Sequence, residues 1–153
     1  MLKEGTKAPE FELLNQKGES IALKNYLGQK LVVYFYPKDD TPGCTTQACN
    51  FRDAYEDYSL LNVPIIGISM DSVDSHASFA ASKRLPFDIL ADITGETVRR
   101  YDVWHEKERD GNKYMGIVRT TYLIDERGFI EKVYEKADPE ENTKEILEYL
   151  KKS

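Results

Sequence analysis

The stretch Leu31-Val32-Val33-Tyr34-Phe35-Tyr36-Pro37-Lys38-Asp39-Asp40-Thr41-Pro42-Gly43-Cys44 decides the fold. Its first six residues are continuously apolar and rich in β-branched and aromatic side chains, the composition of a strand buried on both faces, and Pro37 ends it. Such a strand is expected at the centre of a sheet. From Pro42 to about Tyr58 the pattern becomes helical, with Cys44, Ala48, Phe51, Tyr55 and Tyr58 recurring at spacings of 4, 3, 4 and 3. A buried strand that hands over to a helix through a polar, proline-bounded loop is where open α/β sheets bind ligands.

Upstream, Phe11 to Leu14 and Ser20 to Leu23 flank the turn signal Asn15-Gln16-Lys17-Gly18, which predicts a small opening hairpin. Downstream, Val63 to Met70 reads as a second buried strand, Val73 to Arg84 as a helix, Phe87 to Ala91 as a short strand and Glu96 to Tyr101 as a helix. Trp104 to Lys113 is polar and reads as the longest solvated loop. Gly116 to Ile124 and Phe129 to Tyr134 flank Asp125-Glu126-Arg127-Gly128 and predict an antiparallel hairpin. Asp138-Pro139-Glu140-Glu141 offers an N-cap, a first-turn proline and a carboxylate at N3 for a last helix with Ile146, Leu147 and Leu150 inward. The expected fold is an α/β domain of three layers around a mixed central sheet, spanning residues 1–153 as one unit.

Composition narrows the function. The 153 residues are 41% hydrophobic and 31% charged, enough for one core. A formal charge of −6 without a basic block argues against a nucleic-acid partner. No apolar run approaches the roughly 20 residues of a membrane span, and the N-terminus lacks the pattern of a secretory signal. A cytoplasmic location is therefore expected. The only histidines, His76 and His105, have no metal spacing with the cysteines and read as surface or packing residues. No dinucleotide or phosphate-loop fingerprint occurs, so no cofactor is expected.

Two cysteines are too few for a disulfide scaffold, and in a reducing compartment they point to free or catalytic thiols. Cys44 falls in the first turn of the predicted helix, where unpaired N–H groups and the positive end of the macrodipole favour a thiolate. Thr41, three residues earlier, can reach the sulfur or an incoming oxygen with its hydroxyl, while Pro37 and Pro42 restrict the loop. Cys49 follows five residues later, which on an ideal helix separates the Cα atoms by about 8.6 Å. A disulfide requires less than about 7 Å, so bonding the two would need that turn to unwind. Cys44 shares the apolar stripe and Cys49 lies toward Arg52, Asp53 and Glu56, so the residues assign attack to one thiol and resolution to the other.

Pro37-Lys-Asp-Asp-Thr41-Pro-Gly-Cys44 resembles the peroxidatic motif of peroxiredoxins, and Cys44-Thr-Thr-Gln-Ala-Cys49 resembles their peroxiredoxin Q branch, also called bacterioferritin comigratory protein. Tyr34-Phe35-Tyr36-Pro37, Phe51-Arg52-Asp53, Gly67-Ile68-Ser69 and Arg119-Thr-Thr-Tyr-Leu-Ile-Asp125 fall in the family's order, so the resemblance covers nearly the whole chain. It implies a thioredoxin-like fold, a peroxidatic Cys44, a resolving Cys49, and a peroxide pocket completed by Thr41, Pro37 and Arg119. It also implies a hydroperoxide substrate and recycling by thioredoxin or a similar dithiol. An intramolecular resolver needs no second subunit, so a monomer is expected. Gln47 stands where the wider family commonly carries glutamate; an amide keeps an acceptor and loses the charge that would pair with an arginine. Two other functions compete. A disulfide oxidoreductase of the thioredoxin type would want C-x-x-C and a later cis-proline, and the chain has neither. A non-catalytic redox sensor would use the same two thiols to alter a partner contact.

Overall fold

The computed structural model describes residues 1–152. Among these residues nine strands and five α-helices run in the order β1 (Glu12–Asn15), β2 (Ser20–Ala22), β3 (Leu31–Phe35), α1 (Pro42–Asp53), α2 (Tyr55–Leu60), β4 (Ile65–Ser69), α3 (Val73–Lys83), β5 (Asp88–Ala91), α4 (Glu96–Arg100), β6 (Trp104–Arg109), β7 (Asn112–Ile117), β8 (Thr120–Ile124), β9 (Ile130–Tyr134) and α5 (Asn142–Lys152), with a 3-10 turn at Leu23–Tyr26. Seven strands form one sheet in the order β2-β1-β5-β4-β3-β8-β9. β3, β4 and β5 are parallel, as helical crossovers require, and β1, β2, β8 and β9 join antiparallel. The sheet is therefore mixed.

Every residue of β3 is buried. Val32, Tyr34 and Tyr36 enter the core shared with Phe51, Tyr58, Phe79 and Ile146, whereas Leu31, Val33 and Phe35 enter the opposite core with Phe11, Val98 and Tyr101. Strand alternation thus supplies both interlayer cores from one apolar run, and α1, α2, α3 and α5 cover one face while α4 and the N-terminal segment cover the other. β3 is interior, yet the middle strand of the seven is β4, because the opening hairpin docks beside β5 and lengthens the sheet on that side.

Three local expectations are corrected. The helix read from Pro42 to Tyr58 breaks at Ala54, and beyond the break Tyr58 is buried with its hydroxyl donating to the Thr143 carbonyl at 2.9 Å. That bond spans the fold and leaves no trace in local periodicity. The polar loop from Trp104 to Lys113 is instead a two-stranded ribbon, β6 paired with β7, turning through Asp110 and Gly111 at φ 53° and 80°. Positive φ at both central residues is the twist-matched hairpin turn that Asp-Gly favours. Gly116 and Ile117 belong to this ribbon, and the strand after Arg119 is shorter than Gly116 to Ile124. Finally, Asp138 does behave as a cap, accepting from Glu140 N at 2.8 Å and, through its carbonyl, from Asn142 N at 2.9 Å. Regular helix nevertheless starts at Asn142, since the Pro139 and Glu140 carbonyls turn toward Asn50 Nδ2 at 3.1 and 3.3 Å.

No helix among the described residues is long and apolar enough to cross a membrane. Gly67 of β4 lies directly opposite Tyr34 of β3, and a Cβ there would meet the ring carbon Cζ at 2.8 Å. Gly67→Ala is therefore expected to lower stability by about 1–3 kcal/mol through overpacking. Urea unfolding would measure it, and Tyr34→Phe in the same chain should not restore the loss, because it removes only the hydroxyl and leaves Cζ at 2.8 Å and Cε1 at 3.0 Å in the way.

Candidate active site

The site is assembled by the β3–β8 ladder. Phe35 pairs with Thr120, so the residue leaving β3 and the residue entering β8, Tyr36 and Arg119, stand at the same end of the sheet. The chain after Tyr36 turns through Pro37 and enters α1 with Thr41 as N-cap, Pro42 at the first helical position and Cys44 in the first turn. No side chain caps this end. The first-turn amides, which have no intrahelical acceptor in any helix, are therefore also without a side-chain acceptor from the N-cap.

Cys44 is 1% exposed and Cys49 is half-buried, and both thiols are free. Arg119 Nη2 donates to Cys44 Sγ at 3.2 Å, and its Nη1 donates to Gln47 Oε1 at 2.7 Å. The guanidinium is thus fixed by two side chains of one helix, three residues apart. Gln47, fully buried, uses the acceptor that an amide retains, and its Nε2 donates to Asn142 Oδ1 at 3.4 Å. Thr121 Oγ1 donates to the same oxygen at 2.7 Å. A relay of neutral groups therefore runs from β8 through α5 to the arginine. Gly43 leaves the space that Arg119 occupies, for a Cβ there would lie 3.1 Å from Nη2.

The other residues named from the sequence lie around this pair. Thr41 is adjacent in the loop, but its hydroxyl donates to the Lys38 carbonyl at 2.9 Å, so in this reduced state the side-chain donor to sulfur is Arg119. Pro37 is half-buried at the exit from β3. Cys49 lies five residues along α1, and the negative charge of its thiolate would act on Arg52, in keeping with a polar setting.

Two features escape the sequence reading. Lys107 of β6 donates to the Ile117 carbonyl at 2.9 Å; burial pushes its ammonium down, Arg119 acts in the same direction and Cys44 opposes them. The ribbon thereby brings a second cation to the neighbourhood of the thiol, and the Asp110-Gly111 turn dipeptide was the available signal. Of the two alternatives read for His76, surface or packing, the structure shows packing, in a polar cluster that the sequence does not reveal. It is fully buried, with Nδ1 2.7 Å from Asp39 Oδ2 and Nε2 2.9 Å from the Leu90 carbonyl. Tyr36 Oη and Ser75 Oγ also donate to the Asp39 carboxylate, at 2.6 and 2.8 Å. Asp39, Asp71 and His76 offer ligand atoms within 4.8 Å of one another. The hydrogen bonds just described already occupy the Asp39 oxygens and both His76 nitrogens, which does not fit a metal site.

A buried thiol held by a guanidinium at the first turn of a helix, on a mixed sheet of this order, is the construction of a thiol-based oxidoreductase. The AhpC/TSA family matches residues 5–133. Peroxiredoxin Bcp of Bacillus subtilis (strain 168) is 44% identical over 147 residues, 96% of this chain and 94% of the relative. Peroxiredoxin Bcp of Escherichia coli (strain K12) is 39% identical over 150 residues, 98% and 96% of the two chains. Among solved structures, the Xanthomonas campestris bacterioferritin comigratory protein superposes with a TM-score of 0.91 at 30% identity, covering 98% of each chain. The chain belongs to the AhpC/TSA family, in its peroxiredoxin Q or bacterioferritin comigratory protein branch, and is a thiol peroxidase of thioredoxin-like fold.

Burial alone would raise the Asp39 carboxyl, but hydrogen bonds from His76 and Tyr36 outweigh it and hold the group below the ordinary aspartate range. On acidification the unfolded chain then takes up this proton first. The stability that Asp39 contributes is complete above about pH 4 and lost as pH falls through its lower folded value. Urea midpoints of the wild type should accordingly drop between pH 5 and 3 more steeply than those of Asp39→Asn; parallel curves would show that the carboxylate is not the coupled group.

Proposed function

We propose that this chain reduces hydroperoxides as a single catalytic unit through a two-cysteine cycle, with Cys44 as nucleophile and Cys49 as resolver. The Arg119 guanidinium 3.2 Å from Cys44 Sγ carries this reading. A cation that cannot lose its proton stabilises a thiolate and, in the transition state, the charge that develops on the peroxide oxygens. The thiolate attacks one peroxide oxygen as the O–O bond breaks. The second oxygen departs with the bonding electron pair and takes a proton, giving an alcohol or water, and Cys44 is left as sulfenic acid. Thr41, whose hydroxyl lies in the same loop, and the uncapped first-turn amides are assigned to the peroxide, with Pro37 shaping the loop.

Cys49 thiol then displaces hydroxide from the sulfenic sulfur, and water leaves as the disulfide forms. The five-residue spacing along α1 supports a step in which the first turns unwind, because an intact helix separates the two Cα atoms by about 8.6 Å. A dithiol such as thioredoxin would restore both thiols by exchange. The Xanthomonas campestris relative is described by its alkyl peroxide reduction activity, which favours organic hydroperoxides as well as hydrogen peroxide for this chain. The competing redox sensor would use the same thiols without turnover. The two are separated by sustained peroxide consumption with thioredoxin and its reductase.

One equivalent of hydrogen peroxide should remove both wild-type thiols within seconds and lower the intact mass by two hydrogens. Cys44→Ser should be inactive, and Cys49→Ser should yield a trappable sulfenic acid at Cys44. Equal peroxide reactivity of Cys44→Ser and wild type would overturn the assignment. Arg119→Met should slow oxidation of Cys44 about 10²–10³-fold, the scale for removing one transition-state donor, in stopped-flow fluorescence with the fold unchanged by circular dichroism.

A further inference from the structure

The active-site loop is fastened at one residue. Asp39, five positions before Cys44, is 6% exposed, and its carboxylate receives Tyr36 Oη at 2.6 Å, Ser75 Oγ at 2.8 Å and His76 Nδ1 at 2.7 Å. Its backbone N–H donates to Asp71 Oδ2 at 2.9 Å, an oxygen that also receives Ser69 Oγ at 2.6 Å. His76 is held in turn by the Leu90 carbonyl. A carbonyl only accepts, so Nε2 carries a proton, and a further proton is shared between Nδ1 and the carboxylate.

The partners of Asp39 come from the residue after β3, the turn after β4 and α3, they are braced in turn by Ser69 of β4 and Leu90 of β5, and none comes from α1. The very next residue, Asp40, has φ 59°, so the chain swivels immediately after the fastening point. Everything before that swivel is tied to the sheet and α3. Everything after it, from Asp40 through Thr41 to Cys44 and Cys49, is the segment whose first turns must unwind for the two sulfurs to meet.

We propose that Asp39, held by Tyr36, Ser75 and His76, is a positioning residue for the peroxide reaction: it is the fixed end of the loop, setting Cys44 against Arg119 and opposing the unwinding that joins Cys44 to Cys49. It touches neither peroxide nor sulfur. Its effect falls on the two steps with opposite sign, since displacing the thiol by about 1 Å can cost a hundredfold in an attack that depends on alignment, while a looser loop reaches the unwound form more often. This inference rests on the two-cysteine reading only for its second step.

The test follows both phases of the peroxide reaction by stopped-flow fluorescence in the wild type, Asp39→Asn and Ser75→Ala, with thermal unfolding recorded for each. Asp39→Asn preserves shape and removes the charge that gathers the three donors. Ser75→Ala removes one half-buried donor and serves if the first variant does not fold. Ile124→Val, at the far end of the β3–β8 ladder, is the control for general destabilisation. Expected are a fall of roughly 10-fold or more in the first phase for Asp39→Asn, a smaller fall for Ser75→Ala, and a second phase unchanged or faster in both. Unchanged first phases in folded variants would overturn the proposal. So would a slowing of both phases that the control reproduces at equal loss of thermal stability. Absence of any second phase in the wild type would instead overturn the two-cysteine reading and leave the first-phase comparison to decide the positioning role.

Discussion

The chemistry of this protein depends on the register between β3 and β8. Because Phe35 pairs with Thr120, the loop that carries Cys44 leaves the sheet beside the point where Arg119 enters it, 75 residues further along the chain. In strands whose side chains alternate between two packed faces, a one-residue slip would exchange the contents of both cores. Tyr34 and Tyr36 would leave one core while Val33 and Phe35 left the other, so register is enforced by the burial of all five residues of β3. The stability of the sheet and the position of the Arg119 guanidinium are thus one constraint.

Around that constraint the site is built mainly of buried groups that satisfy one another. Arg119 bridges Cys44 and Gln47, Gln47 reaches Asn142, and Asn142 accepts a hydrogen bond from the Thr121 hydroxyl, so β8 and the residue just before it contribute the far end of the relay and the cation it orients. Glutamine is well suited to this relay. Its carbonyl faces the arginine and its amide faces Asn142, whereas a carboxylate would have no proton to give to the second partner. The positive charge of Arg119 is therefore not cancelled by an adjacent anion within the relay and remains available to the sulfur.

The second set of buried polar groups, gathered on Asp39, acts on the other side of the loop. Three donors converge on the Asp39 carboxylate and an Asp71 carboxylate oxygen accepts from its backbone N–H, all from elements that need not move, and a left-handed residue follows at once. A redox cycle that rearranges α1 requires such a division between a tied segment and a released one, because unwinding that spread backward into β3 would open both cores.

Much of this was legible in the sequence, for reasons that are local. The apolar run from Leu31 to Tyr36, the two prolines around the loop, the cysteine in the first turn of a helix and the Cys44 to Cys49 spacing are short-range patterns, and each constrains the backbone or the sulfur directly. Arg119 could be named only through the family resemblance, since an arginine between two strands has no local mark of burial. What only the tertiary structure decided is who meets whom. The break at Ala54 accompanies a hydrogen bond from Tyr58 to Thr143, the ribbon beside the site carries Lys107 inward from a segment that looks solvated, and His76 finds Asp39 across 37 residues. Periodicity reports which face of an element is apolar. The partner of a buried polar group is fixed by the order and register of the sheet, which brings distant segments together only once the chain has closed on itself.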